Sequence, residues 1–276
     1  NTDTTLAEYV FFAPTLDGSN GGSWGGYGFG ANDLTEINPA APTKHITTSG
    51  GDTLKEVPDA MTFKQNGDVW VVDVSSDWIN STGYNGNLIL SEGIYNSGTD
   101  DFDFTESLLP VLNSGDNITD VKIAFSPDGQ TGYICVLSDG GAIPYTKTHP
   151  VIIKTTDGGA TWDNANPAHV QLGGAGGLEG VKEFLSDEVI ESIYGSGFSR
   201  DGVYYNMGYH TDMVVDTNGN PHLTGIIALD NGSTNWYPMF EYMATFHIYS
   251  NDGGKTWEAD DLYFNKTFTG ELGGIT

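Results

Sequence analysis

A chain of 276 residues with 38% hydrophobic and 12% aromatic content has enough apolar side chain to bury a sizeable core, as one large β domain or two smaller domains. Asp and Glu number 37 against 10 Lys plus Arg, a formal net charge of -27. Such a surface repels phosphate backbones and anionic membrane faces, which disfavours nucleic-acid binding. No run approaches the ~20 apolar residues of a membrane helix, and a single cysteine, Cys135, excludes an intrachain disulfide and a multi-cysteine metal site.

Along the chain, short runs rich in Val, Ile, Tyr and Phe alternate with Gly, Asn, Asp and Pro, the punctuation of an all-β protein. Strands are predicted at Glu8 to Phe12, Val69 to Val74, Asn87 to Leu90, Val121 to Phe125 and Gly132 to Leu137. Further strands are predicted at Val151 to Lys154, Val203 to Met207, His222 to Leu229 and Phe246 to Tyr249. A short helix or turn is predicted over Gly180 to Ile190, and long inserts at Asn32 to Pro58 and Ala142 to Pro150. The glycine run at 173 to 177 reads as a loop, since no Lys-Ser/Thr follows it to cradle a phosphate.

Two units recur. The first joins two apolar strands through a polar turn ending in Gly, at Met61 to Val72, Ile123 to Ile134 and Met213 to Leu223, with a candidate fourth copy at Gly197 to Tyr205. Asn-Gly or Asp-Gly supplies the positive φ of a tight hairpin. The second is an octapeptide, Thr155-Thr156-Asp157-Gly158-Gly159-Ala160-Thr161-Trp162 and again Ser250-Asn251-Asp252-Gly253-Gly254-Lys255-Thr256-Trp257. A degenerate version spans Asp17 to Trp24, and Tyr95 to Phe102 is a fainter echo.

Both full octapeptides resemble the Asp-box, Ser/Thr-x-Asp-x-Gly-x-Thr-Trp, of sialidase-like β-propellers. The resemblance implies a propeller of four-stranded antiparallel blades, with each Asp-box at the hairpin between a blade's third and fourth strands, away from the active site. In chemical terms the Asp accepts bonds from turn amides and hydroxyls, Gly permits the tight backbone, and Trp drops into the space between sheets. Thr155, Asp157, Gly159, Thr161, Trp162, Ser250, Asp252, Gly254, Thr256 and Trp257 are therefore read as structural. Candidate blades run from about 58 to 104, 118 to 165 and 210 to 262, with blade-like material at 5 to 32 and 185 to 209, giving four or five within one propeller domain over 1–276 or a propeller segment of a longer protein.

Sialidases of that family grip a carboxylate with three arginines, and Arg200 is the only arginine here. A glycoside hydrolase of another Asp-box type, similar to the xyloglucanase-like enzymes, needs only two facing carboxylates. The 37 acids neither deny nor locate such a pair; Glu92, Asp100, Asp101, Asp103, Glu183, Asp187, Glu188 and Glu191 stand in loop-like or strand-end positions. Asp216, Asn218 and Asn220 resemble the first half of a Ca²⁺ loop without its closing Glu and also fit the repeated turn. His210 and His222 are candidate cross-strand zinc ligands or packed histidines. Trp78, Trp236 and Tyr237 lie in polar surroundings and are candidates for contact with a glycan or a protein.

Sequons at Asn80, Asn117, Asn231 and Asn265 fit a secreted surface. Asp52-Thr53-Leu54 resembles the O-glycosylation sequon of Bacteroidota, and the composition resembles that of exported repeat proteins of that phylum. The expectation is an extracellular or cell-surface protein whose export signal is absent from this segment, requiring no cofactor, with Ca²⁺ as the cation its carboxylates would suit. It is expected to bind or scaffold a glycan or a surface or secreted protein without catalysis. The alternative is a glycoside hydrolase acting on a neutral polysaccharide; nucleic-acid binding and membrane insertion are not expected.

Overall fold

A computed structural model of the chain describes residues 8–17, 23–33, 44–46, 53–54, 60–77, 83–96, 101–140, 147–230 and 242–263. Sixteen strands form four antiparallel sheets among these residues. The first sheet holds β1 (Glu8–Asp17), β2 (Ser23–Asp33) and β3 (Lys44–Ile46) in the order β1-β2-β3. In the second, β4 (Thr53–Leu54) and β5 (Met61–Phe63) both pair with β6 (Val69–Asp77), followed by β7 (Gly83–Asn96) and β8 (Asp101–Pro110). The third runs β9 (Ile118–Phe125), β10 (Gly132–Ser138), β11 (His149–Thr155), β12 (Ala168–His169). The fourth runs β13 (Tyr205–Val215), β14 (Pro221–Leu229), β15 (Met243–Tyr249), β16 (Glu258–Tyr263).

The first hairpins of the last three sheets are built alike. Gly67, Gly129 and Gly219 take φ of 93°, 68° and 79°, which glycine adopts without a Cβ penalty. Each turn closes through the same pair of backbone bonds, as in Ser126 N–H to Thr131 O at 2.7 Å and Gly129 N–H to Ser126 O at 2.8 Å. The first strands β5, β9 and β13 then lie side by side. Meandering sheets with adjacent first strands are compatible with propeller blades.

Burial shows the stacking order. Every residue of β10 is buried, and β11 is buried except at Lys154, so the third sheet is covered on both faces. One apolar cluster joins it to the second sheet through Trp70, Val72, Leu88, Phe125 and Ile134. Another joins it to the fourth through Tyr133, Cys135, Met213, Leu223 and Phe246. On the fourth sheet β15 alternates buried and open positions, and Val214, Ile226 and Leu262 are exposed on its outer face. Cys135 is fully buried and burial pushes its thiol up, so it behaves as a small apolar side chain.

The two octapeptides sit between the third and fourth strands of their sheets and share one set of bonds. Asp157 Oδ1 accepts from the Thr155 hydroxyl at 2.8 Å and Thr161 N–H at 2.9 Å, and its Oδ2 accepts from the Thr161 hydroxyl at 2.6 Å. Asp252 accepts from Ser250, Thr256 N–H and the Thr256 hydroxyl at 2.9, 2.9 and 2.8 Å. Gly159 lies against Trp70 so closely that a Cβ would come 2.5 Å from Cζ2, and its φ is 96°. Trp162 packs edge-on to Trp70 and Phe125 at centroid distances of 6.0 and 5.9 Å, bridging the second and third sheets. Trp257 packs on the cluster shared by the third and fourth.

Two expectations are corrected. Gly197 to Tyr205 is no fourth hairpin, and residues 185–209 hold no blade-like pair of strands. Helices α1 (Glu179–Lys182) and α2 (Asp187–Tyr194) and a 3-10 turn at Arg200–Gly202 occupy that stretch, and β13 starts only at Tyr205. The reason is not local: the Arg200 guanidinium donates to the carbonyls of Lys182 and Leu185 and pairs with Asp187, folding the segment back on the helices. Val181, Leu185 and Ile190 then seal the core between the last two sheets.

Trp162→Ala is expected to cost about 3 kcal/mol in urea unfolding, and Gly159→Ala about 1 to 3 kcal/mol from backbone strain; unchanged midpoints in both would contradict the packing. The pH dependence has a fixed sign. The Thr161 hydroxyl, then its amide, hold Asp157 at about 2, and the Thr256 amide, then its hydroxyl, hold Asp252 at about 2, each down from 3.8. Carboxylates depressed on folding stabilise above their unfolded pKa, and this contribution is lost as pH falls through the folded value. Melting temperature should therefore drop between about pH 4 and pH 2, and less steeply in a Thr161→Val/Thr256→Val variant.

Candidate functional site

Two of the cavities on the described residues bear on a functional site. The first, of about 310 Å³, lies where the first strands meet and is lined by residues 60–62, 122–125 and 212–215. Asp212 is the one acid in its lining. Behind it Asp120, 8% exposed, accepts from Val121 N–H at 2.9 Å and Thr211 N–H at 2.7 Å and pairs with Lys122 at 2.9 Å. Asp120 thereby ties β9 to β13. The two facing carboxylates of a glycosidase are not found in this lining.

The second cavity, of about 520 Å³, lies between the end of β8 and the segment leading into β12. Its walls are Pro110, Val111, Leu112 and Asn113 on one side and Asn164, Ala165, Pro167 and His169 on the other. Among the described residues none in this lining carries an acid or a permanent cation. Asn164 Nδ2 donates to Pro110 O at 2.6 Å and joins the walls. Trp162, two residues before Asn164, anchors this segment against Trp70 of the neighbouring sheet.

His169 stands on β12, which pairs with β11, and its partner is His149 at the head of β11. His149 is fully buried, with Nδ1 2.6 Å from Lys147 O and Nε2 3.0 Å from His169 Nδ1. A carbonyl only accepts, so His149 carries its hydrogen on Nδ1 and presents a bare Nε2. His169 must then donate from Nδ1, which leaves its own Nε2 as the unprotonated nitrogen of the pair. Burial pushes His149 down to about 4 and lowers His169 as well, which favours the neutral form of both rings.

The segment that orients His149 is itself clamped to the fourth sheet. Lys147 Nζ pairs with Asp230, whose side chain is 4% exposed. Asn206 Nδ2 donates to the same carboxylate at 3.1 Å, and Thr148 N–H donates to Asn206 Oδ1 at 3.1 Å.

The residues singled out from the sequence fall elsewhere. None of the octapeptide residues lines either cavity. Asp216 is consumed in its turn: Oδ1 accepts from the Asn218 and Asn220 amides at 2.8 Å each, and Oδ2 faces their side-chain nitrogens at 3.4 and 3.2 Å. Among the described residues no three His, Cys, Asp or Glu side chains gather as a metal set. His222 meets His247, with Nδ1 and Nε2 3.0 Å apart, rather than the exposed His210. Glu183 and Asp187 pair with Arg200, and Asp103 accepts from Asn96. Trp78, Trp236 and Tyr237 lie outside the described residues. His149 and His169 carried no sequence signal, since their pairing depends on the register of two strands separated by the turn.

No helix among the described residues is long and apolar enough to cross a membrane. No family model matches the sequence, and no curated protein matches it. Among solved structures, that of the polysaccharide lyase Uly1 is similar at 13% identity and a TM-score of 0.41, over 84% of this chain and 51% of that one. The chain thus spans about half the length of that protein, and it is a mostly β chain of several small antiparallel sheets.

Proposed function

We propose that this chain is a carbohydrate-active domain of the Asp-box propeller kind, working at or outside the cell surface, that holds a neutral polysaccharide in the groove between β8 and β12. The observation that carries the reading is the groove's lining. In a chain of net charge -27, a cavity walled by two asparagines, prolines, short aliphatics and one neutral imidazole offers hydrogen bonds to hydroxyls and apolar surface to sugar rings, with nothing to pair an ionic group. The surrounding acidic field repels polyanions.

The matched bonds of the two octapeptides support the Asp-box assignment, and the meandering sheets support the propeller. Action on the glycan is favoured over passive scaffolding, because a fixed-tautomer imidazole at the groove is a proton acceptor that mere binding does not require. The lining supplies no carboxylate pair for the two-carboxylate hydrolase mechanism.

Affinity electrophoresis through gels carrying neutral polysaccharides (xyloglucan, glucomannan, mixed-linkage glucan) or anionic ones (polygalacturonate, alginate) tests this. Retardation is expected only with a neutral polymer and is expected to disappear in Ala165→Trp, which fills the groove. Retardation by the anionic polymers alone would overturn the reading.

A further inference from the structure

We propose that His169 is a catalytic general base for hydrolysing O-acyl esters carried by the neutral glycan in this groove, with His149 as its positioning residue. The proposal rests on the groove being a glycan site and adds the reaction. Its foundation is the directional chain Lys147 C=O, His149, His169, groove, with N···O and N···N separations of 2.6 and 3.0 Å. Each link fixes the next, and the result is a histidine with one possible tautomer whose unprotonated nitrogen is not used by its partner. A cross-strand pair that only filled space would not need the carbonyl, nor one ring at the edge of a 520 Å³ cavity.

The lining selects the reaction. Glycosidic cleavage needs an acid for the leaving oxygen and a second group opposite it, and no carboxylic acid is among the described residues that line this groove. Ester hydrolysis needs one group that moves a proton both ways. His169 Nε2 takes a proton from water as the water oxygen bonds to the acyl carbon. The tetrahedral intermediate then collapses, the bond from acyl carbon to sugar oxygen breaks, and that oxygen takes the proton back from His169. Water and ester become a carboxylic acid and a free sugar hydroxyl, with no other reactant.

The surroundings fit this cycle. Throughout it His169 Nδ1–H stays on His149, whose own N–H polarises toward Lys147 O while the imidazolium exists. Asp139, the charged group that acts on His149, is held by the Asn117 amide and side chain at 3.0 and 2.8 Å. Asn164 keeps a second amide hydrogen beyond the one given to Pro110, and together with Asn113 offers donors for the acyl oxygen as charge develops there.

The test measures acetate released from acetylated glucomannan, and p-nitrophenol from p-nitrophenyl acetate, by the full chain across pH 4 to 9. Release from both is expected, falling about 100-fold or more in His169→Ala while the variant keeps the folded circular-dichroism spectrum of the wild type. His149→Phe is expected to lower the rate and move the acidic limb of the pH profile, and ¹⁵N NMR should show His169 protonated on Nδ1 in the wild type and not in that variant. Retention of glucomannan without ester cleavage would overturn the catalytic assignment and leave the glycan site standing. His169-dependent cleavage of p-nitrophenyl acetate without retention of any neutral glycan would keep the base and remove the glycan site. An Nε2–H tautomer of His169 in the wild type would overturn the relay whatever the activity.

Discussion

The contact on which the sheet stack depends is a turn glycine pressed onto an aromatic ring of the preceding sheet under a lysine ammonium. Gly159 lies on Trp70, while Lys64 stands 5.1 Å from that ring's centroid and donates to Gly158 O. Gly254 lies on Tyr133, while Lys154 stands 5.4 Å from that ring and donates to Gly253 O at 2.8 Å. A Cβ at Gly159 would clash with Trp70, whereas at Gly254 it would only touch Tyr133 and it is the φ of 89° that disfavours a side chain; the carboxylate of Asp157 or Asp252 keeps the turn in the required shape. Strands need an apolar face packed against something to be stable, and the repeated contact lets the third sheet bury both of its faces.

The same contact builds the groove. The chain leaves the first octapeptide through Trp162, which wedges against the second sheet, and two residues later Asn164 reaches Pro110 at the end of β8. One wall therefore belongs to the second sheet and the other to the third, with their spacing set by the turn. His169 follows as the chain returns to pair with β11. Trp162, Asn164 and His169 thus lie within eight residues of chain, and none of the octapeptide residues lines the groove.

Charge is distributed to suit this plan. Lys64, Lys122, Lys147, Lys154, Lys182 and Arg200 are all engaged by a carbonyl or a carboxylate. The scarce cations thus serve as pins between elements, as Asp230 is pinned by Lys147 and Asp187 by Arg200. The remaining charge is largely acidic, while the described residues lining the groove between β8 and β12 include no acid and no Lys or Arg. That contrast separates the groove from the cleft at the first strands, where Asp212 and Lys122 stand in the lining.

Much of the fold was legible because it is written in local chemistry. Asn-Gly and Asp-Gly turns marked the three first hairpins, and the octapeptides marked the third-to-fourth strand turns, since both depend on residues close in sequence. Strand β8 was missed because Asp103 and Glu106 interrupt its apolar run, although Phe102 and Phe104 keep the period of two. The stretch before β13 misled because Phe198 to Gly202 copies the hairpin pattern, whereas distant carbonyls around Arg200 decide its path. The histidine pair was illegible for a related reason: His149 and His169 meet only once β11 and β12 are in register. The most direct measurement is a crystal structure with a neutral oligosaccharide. The sugar is expected between Asn113, Asn164 and His169, with its hydroxyls on the amides; a sugar bound instead beside Asp212 where the first strands meet would contradict the assignment of the groove.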